Sequence, residues 1–220
     1  MNWKSIALVA ALGSVGCMDM DLSFDQGIKG SGKIATDHRT VTKFSKIDTK
    51  GAYDVEVKVG SDTSVTVTGD DNLLKLVETK VEDGTLTIST VKNVHPRKSL
   101  KVIVTTPSLD TFALHGAGDV NIAGIKGKSF TATLHGAGDF TASGEVTNLD
   151  ATLKGAGDMN LYGLHAANVN ATLNGAGDLS VWASKYLNAK MSGVGDLSYK
   201  GHPVKVDRDK SGVGDINEVD

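Results

Sequence analysis

The tetrad Gly-x-Gly-Asp occurs six times, ending on Asp119, Asp139, Asp158, Asp178, Asp196 and Asp215, at intervals of 20, 19, 20, 18 and 19 residues. A near-constant period of that size restricts the chain to folds made by stacking one unit on the next. Aligned on the first glycine, the position six before it reads Phe130, Leu149, Val169, Leu187 and Val206. Four before it stand Ala132, Ala151, Ala171 and Ala189, and two before it Leu114, Leu134, Leu153, Leu173 and Met191. The residues between are polar, as with Thr131, Thr133 and His135, so each tetrad is preceded by a strand with one apolar face. Beyond the tetrad the apolar residues Val120, Phe140, Met159, Leu179, Leu197 and Ile216 are each followed by Asn, Thr or Ser. A second strand therefore leaves the glycine corner, and Gly124, Gly144, Gly163 and Gly201 mark the next turn in most repeats.

About 19 residues with two or three short strands and no helical segment predict one turn of a β-helix. The fold class expected is all-β: a parallel β-solenoid of about six coils over residues 110–220, with like residues stacked about 4.8 Å apart. Its last coil puts Arg208 and Lys210 in the columns filled elsewhere by Ala and by Leu or Met. Charge there blocks addition of a further coil, as a capping repeat must.

Residues 38–109 form a β-rich lead-in. Val55, Val57 and Val59 alternate with Glu56 and Lys58, Val65 and Val67 alternate with hydroxyl residues, and Leu100, Val102 and Val104 give another strand. Asp83-Gly84 between two such runs is a hairpin signal. The piece from Asp70 to Val77 reads as a capped helical turn or two.

At the N-terminus Lys4 precedes the apolar run Ile6-Ala7-Leu8-Val9-Ala10-Ala11-Leu12, too short to span a bilayer, so residues 1–16 read as a signal peptide. The sole cysteine, Cys17, sits where cleavage would fall. It has no partner for an internal disulfide, so either it is lipidated or the signal peptide is plain and the thiol incidental. The run resembles the lipobox of bacterial lipoproteins, with Ser14 where that motif usually has Leu. Lipidation at Cys17 makes residues 17–37 a membrane-anchored tether. The only charged residue of the first sixteen is Lys4, so the remaining chain carries 22 basic and 26 acidic side chains. That balance gives no electrostatic reason to expect a nucleic acid as partner.

The column Asp119, Asp139, Asp158, Asp178, Asp196 and Asp215 is the most suggestive chemistry in the sequence. Carboxylates about 5 Å apart repel by about 1 kcal/mol in water, so something must offset the stack. Each Asp could cap the amides of its own glycine turn, or the column could hold Ca²⁺ with turn carbonyls and water completing its shell. No other cofactor is implied. His115 and His135 share a column that continues as Lys154, Asn174, Ser192 and Ser211, which suits a polar stripe better than a zinc site. Gly27-Ile28-Lys29-Gly30-Ser31-Gly32-Lys33 nearly spells a phosphate loop, but Ile34 stands where Ser or Thr should bind Mg²⁺. There is no nucleophile elbow and no zincin motif, so no catalytic residue is nominated.

The lead-in, the turn Thr105-Thr106-Pro107-Ser108-Leu109, the Gly-Ala-Gly-Asp corners and Tyr199-Lys200-Gly201-His202-Pro203 occur in one order that resembles the bacterial GIN head domain family, described as auto-transporter adhesin heads. The likeness spans about residues 38–216. It implies a right-handed β-helix exposed in the cell envelope, commonly on lipid-anchored proteins of the Gram-negative outer membrane. The function expected is that of a non-enzymatic, adhesin-like surface protein whose partner is an envelope protein or a polysaccharide. The alternatives are a divalent-cation-stabilised spacer and a polysaccharide-active enzyme. For the enzyme the repeats offer few aromatic platforms, namely Tyr162, Trp182, Tyr186 and Tyr199. Nothing in the repeat fixes an oligomeric state.

Overall fold

The computed structural model describes residues 27–220, so the expected signal peptide, Cys17 and the first part of the expected tether lie outside the described residues. Parallel coils dominate. The strands Val120–Leu134, Phe140–Leu153, Met159–Leu173 and Leu179–Met191 lie side by side in register, each beginning just after one tetrad and ending just before the next. Six tetrads thus bound five full turns of solenoid, close to the six coils expected. The two or three short strands expected per coil are one strand bent in the middle, where pairing slips between Ile122 and Ile125, Thr141 and Gly144, and Leu161 and His165. Gly124 and Gly144 take positive φ values of 82° and 145° at those bends, which a side chain would resist.

The apolar columns line the interior as the alternation requires. Phe130, Leu149, Val169 and Leu187 pair in one ladder, Ala132, Ala151, Ala171 and Ala189 in the next, and Leu134, Leu153, Leu173 and Met191 in a third, all buried. Alanine in the middle ladder keeps the opposing walls close enough to interdigitate. Among the buried rings, Phe112 and Phe140 meet edge to face at 5.5 Å.

The solenoid continues upstream of residue 110. Lys46–Lys50 and Asp54–Val59 form a coil on top of Thr111–Leu114 and the start of the next strand, and Thr85–Thr90 with Lys101–Thr106 forms another above it, all parallel. One hydrophobic core runs from Phe44 to Tyr199 without interruption, so residues 38–109 and 110–220 are one body. The upper edge is then closed by antiparallel strands. Val77–Glu82 returns along Thr85–Thr90 through the expected Asp83-Gly84 hairpin, both of whose residues have positive φ. On the adjoining wall Ser64–Asp70 runs against Lys101–Thr106, and Ile34–Arg39 runs against Ser64–Asp70. The helical piece expected near Asp70 shrinks to one 3₁₀ turn, Leu74–Leu76, whose N-cap Leu73 offers no side-chain acceptor.

The expected tether needs correcting over its last residues. Residues 27–37 belong to the folded head: Ile28–Lys29 pairs with Val94–His95, and Ile34–Arg39 is an edge strand. The cause is Asp70, a fully buried carboxylate. It accepts hydrogen bonds from the backbone amides of Gly32, Arg97 (2.8 Å) and Lys98 (3.2 Å). A Cβ on Gly30 would collide with that carboxylate, so the glycines that mimic a phosphate loop are there to wrap an internal anion. Burial pushes the Asp70 carboxyl up, but those three amides and the nearby Arg97 guanidinium outweigh it and hold it below the usual carboxylate range.

At the opposite end the cap is built as expected. In the strand Lys205–Lys210, Arg208 is in register with Ala189 and Lys210 with Met191. Arg208 donates to the Tyr199 hydroxyl and lies 5.5 Å over its ring, while Lys210 pairs with Asp215 at 3.0 Å. Charge replaces methylene at the last layer, and the buried Tyr199 gives the guanidinium a partner there.

Candidate functional site

Each corner residue of the tetrad pairs with the one above it, forming the column Ala52, Ala117, Ala137, Ala156, Ala176, Val194 and Val213. The stack is tight: a Cβ on Gly136 would fall on the carbonyl oxygen of Gly116, and Gly138 combines φ 123° with a clash against Gly118. Glycine is therefore needed by the neighbouring backbone as well as by the turn.

The aspartates project outward from these corners, exposed, in one line. Their partners are not the amides of their own turn. Oδ1 of each but Asp215 accepts from the backbone amide of the Asp one coil further on: Asp119 from Asp139 at 3.0 Å, Asp139 from Asp158 at 3.3 Å, Asp158 from Asp178 at 2.9 Å, Asp178 from Asp196 at 2.8 Å and Asp196 from Asp215 at 2.7 Å. One N–H dipole per carboxylate, aimed along the axis, offsets the like-charge repulsion of the stack. A capping bond within a turn would hold that turn; these bonds hold each coil to the next.

Sequence reading missed one member of the ladder. Asp54 accepts from the amide of Asp119 at 3.1 Å, and its corner, Gly51-Ala52-Tyr53-Asp54, is a tetrad with Tyr in place of the second glycine. The signal was present in Gly-Ala-x-Asp. The Tyr53 ring is buried and lies close over Gly51. Its hydroxyl donates to the carbonyl of Ile88 at 2.6 Å and accepts from the amide of Lys50, and burial pushes its ionisation far up.

His115 and His135 do come together, with ring centroids 4.9 Å apart and edge to face. The next member of the column is Lys154, and burial, then His115 and Lys154, hold the His135 imidazole below its usual range. A cation beside the pair opposes a metal ion, and among the described residues no three His, Cys, Asp or Glu side chains converge on a point that could hold one.

The outer wall before the corners is a polar lattice. Asn168 donates to Asn148 at 3.0 Å, Asn170 to Asp150 at 2.7 Å and Asn188 to Asn170 at 3.4 Å, so amide side chains bond from coil to coil. Thr133, Thr152 and Thr172 run beside them in register. Of the four aromatic residues available for a carbohydrate platform, Tyr199 is buried beneath the cap and Tyr186 donates to Asp207 at 2.8 Å.

These features set the chain beside proteins with the same architecture. It is similar to a structure described as a "putative adhesin" from Bacteroides fragilis NCTC 9343, with 27% identity over 88% of this chain and 100% of that one and a TM-score of 0.73. A second structure, described as a "putative adhesin" from Parabacteroides merdae ATCC 43184, shares the fold at 19% identity, covering 88% of this chain and 99% of that one with a TM-score of 0.50. Among curated proteins none matches. The family described as "putative auto-transporter adhesin, head GIN domain" matches residues 43–203, which takes in the upstream coils, all but the last of the Gly-x-Gly-Asp corners and the Tyr199-Lys200-Gly201-His202-Pro203 turn. The chain belongs to that family.

Proposed function

We propose that this chain is a non-enzymatic head exposed on the cell envelope, where its polar solenoid walls bind an external polysaccharide or an envelope protein. The observation that carries this reading is family membership: the family and the structures just described are named as adhesins and not as enzymes. The walls support it, since ladders of Asn, Thr and Asp along several coils present repeated hydrogen-bonding groups to an extended partner. The net charge of −3 disfavours nucleic acid.

In the same reading a lipid on Cys17 attaches the head to the outer membrane of a Gram-negative cell. Residues 27–220 contain no helix long and apolar enough to cross a membrane. The experiment combines fractionation with protease treatment of intact cells. Wild-type head is expected in the outer-membrane fraction and open to surface cleavage, and Cys17→Ser is expected in the soluble fraction. Unchanged membrane association of Cys17→Ser sinks the lipid anchor. A head reached by protease only after the cells are broken sinks the surface assignment. Loss of adhesion to a polysaccharide-coated surface on deleting the gene is the positive outcome for binding, and unaltered adhesion counts against it.

A further inference from the structure

Most columns of the solenoid repeat one kind of residue, as an internally repeated sequence should. Outward columns vary more, and the one at the bend between corners reads, in register, Lys126, Glu145, His165, Trp182 and Lys200. Beside it runs a column of small residues, Gly127, Val146, Ala166 and Ala183, exposed at Gly127 and buried in the other three. The coil carrying Trp182 spans 18 residues from corner to corner where its predecessor spans 20. Pairing accordingly slips twice between them, at Leu161 to His165 and at Ala166 to Asn168. The surface is recessed there into a groove of about 580 Å³, within the range of ligand sites, crossing four coils and hence about 14 Å long.

Its fittings are polar and rigid. His165 stacks on Trp182 with centroids 4.4 Å apart and planes 27° from parallel. Gly201 lies so close to the indole that a Cβ there would come within 2.8 Å of Trp182 Cε2, so the ring is wedged between coils. The stacked pair is a fixed shelf, with Glu145 next along the column on its imidazole side. Thr147, Ser184 and Lys185 also line the groove. Lys126, Glu145 and Lys185 take part in no ion pair among the described residues, leaving an excess of positive charge on a protein that is acidic overall.

We propose that this groove binds an acidic oligosaccharide, with Lys126 and Lys185 meeting its carboxylates and Glu145, Thr147 and Ser184 meeting its hydroxyls. The assignment rests on the surface-head reading above and names the ligand class and the place where it binds. A saccharide fits better than a peptide. The strands here pair with the coils above and below, so no edge is free for strand addition. Lysines on the first and last coils of the groove, with Thr147 and Ser184 also lining it, suit a chain of uronate rings, whose charge repeats along a stiff polar rod.

Calorimetry on the mature chain at about 0.15 M salt tests this, with alginate oligosaccharides as acidic saccharide, dextran fragments of equal length as neutral control and poly-glutamate as acidic peptide. Alginate is expected to bind at least about tenfold more tightly than either control, and K126Q/K185Q to weaken it by about tenfold or more. K75Q/K92Q removes two lysines from the N-terminal cap and is expected to leave affinity unchanged. Circular dichroism on each variant establishes that the coils are intact. Absence of alginate binding overturns the proposal, as does equal loss in K75Q/K92Q, which would mean diffuse charge attraction. Poly-glutamate binding as tight as alginate overturns the saccharide assignment. Adhesion measured in parallel separates the two levels: adherent cells whose head ignores alginate sink the groove alone, whereas absence of both sinks the surface-head reading as well.

Discussion

Asp70 and the corner aspartates are the same side chain put to two uses by burial. Asp70 is enclosed and answered by three amides, so its folded-state carboxyl sits below the 3.8 of the free group. The folded state then binds fewer protons than the unfolded chain, and the stability Asp70 contributes is present above that value and lost as pH falls through the lower, folded one. Thermal melts between about pH 2 and pH 5 should show wild type losing stability on acidification. Asp70→Asn should lack that component and release residues 27–39 to proteolysis at neutral pH; identical acid profiles in the two proteins would refute the linkage. In the exposed ladder the second prediction separates acceptor from charge. Asp158→Ala strands the Asp178 amide and should cost about 1 kcal/mol in urea denaturation, whereas Asp158→Asn keeps an acceptor oxygen, relieves repulsion and should be near neutral. Since each carboxylate from Asp54 to Asp196 already has a backbone partner, calcium and chelator should leave the melting midpoint unchanged. A rise with calcium would restore the cation-stabilised spacer.

An element of this fold is one coil, and its two demands are a filled interior and a corner that admits the next coil. Leu153 is fully buried between Leu134 and Leu173, so Leu153→Ala removes one rung of an apolar ladder and should cost about 2–5 kcal/mol. Gly138→Ala fails for a different reason. It adds only a methyl group, but at φ 123° and against the Gly118 carbonyl, so the backbone term alone should reach about 1–3 kcal/mol and the corner should separate from its neighbour. Hydrogen exchange at the Gly118 amide, which donates to Ala137 at 3.0 Å, reports that separation directly. The period of the tetrads and the alternation of apolar residues made these elements legible, because both are local properties that stacking leaves unchanged. The joining of the short strands into one bent strand was not legible, since the continuity depends on pairing with the coils above and below.

At the scale of the molecule the question is how a solenoid ends. The upper end folds back on itself with antiparallel strands, and the lower end presents charge. Replacing Arg208 and Lys210 by Leu continues the Ala and Leu columns to the last layer and removes the partner of Tyr199. The double variant should self-associate end to end, with sedimentation velocity showing a concentration-dependent increase in mass; a strictly unchanged profile would mean that the remaining aspartates suffice as a block. The lower cap was visible in the sequence because Arg and Lys interrupt two apolar columns. Most of the upper end was not, because its antiparallel pairs join segments about 30 residues apart or more, and a glycine-rich stretch whose partner is one distant aspartate carries no local periodicity.

By itself the sequence determined the repeat: six Gly-x-Gly-Asp corners, the apolar columns between them and a charged last coil follow from periodicity, since a unit that stacks on copies of itself must satisfy the same contacts in every copy. Tertiary structure alone decided which coil each aspartate bonds to, the membership of Asp54 in that ladder, the enclosure of Asp70 and the recess beside Trp182. Each of these depends on which backbone lies across from a side chain. In a solenoid that distance is set by small differences in coil length, and a period of 18, 19 or 20 residues leaves the register at each bend open until the coils are laid against one another.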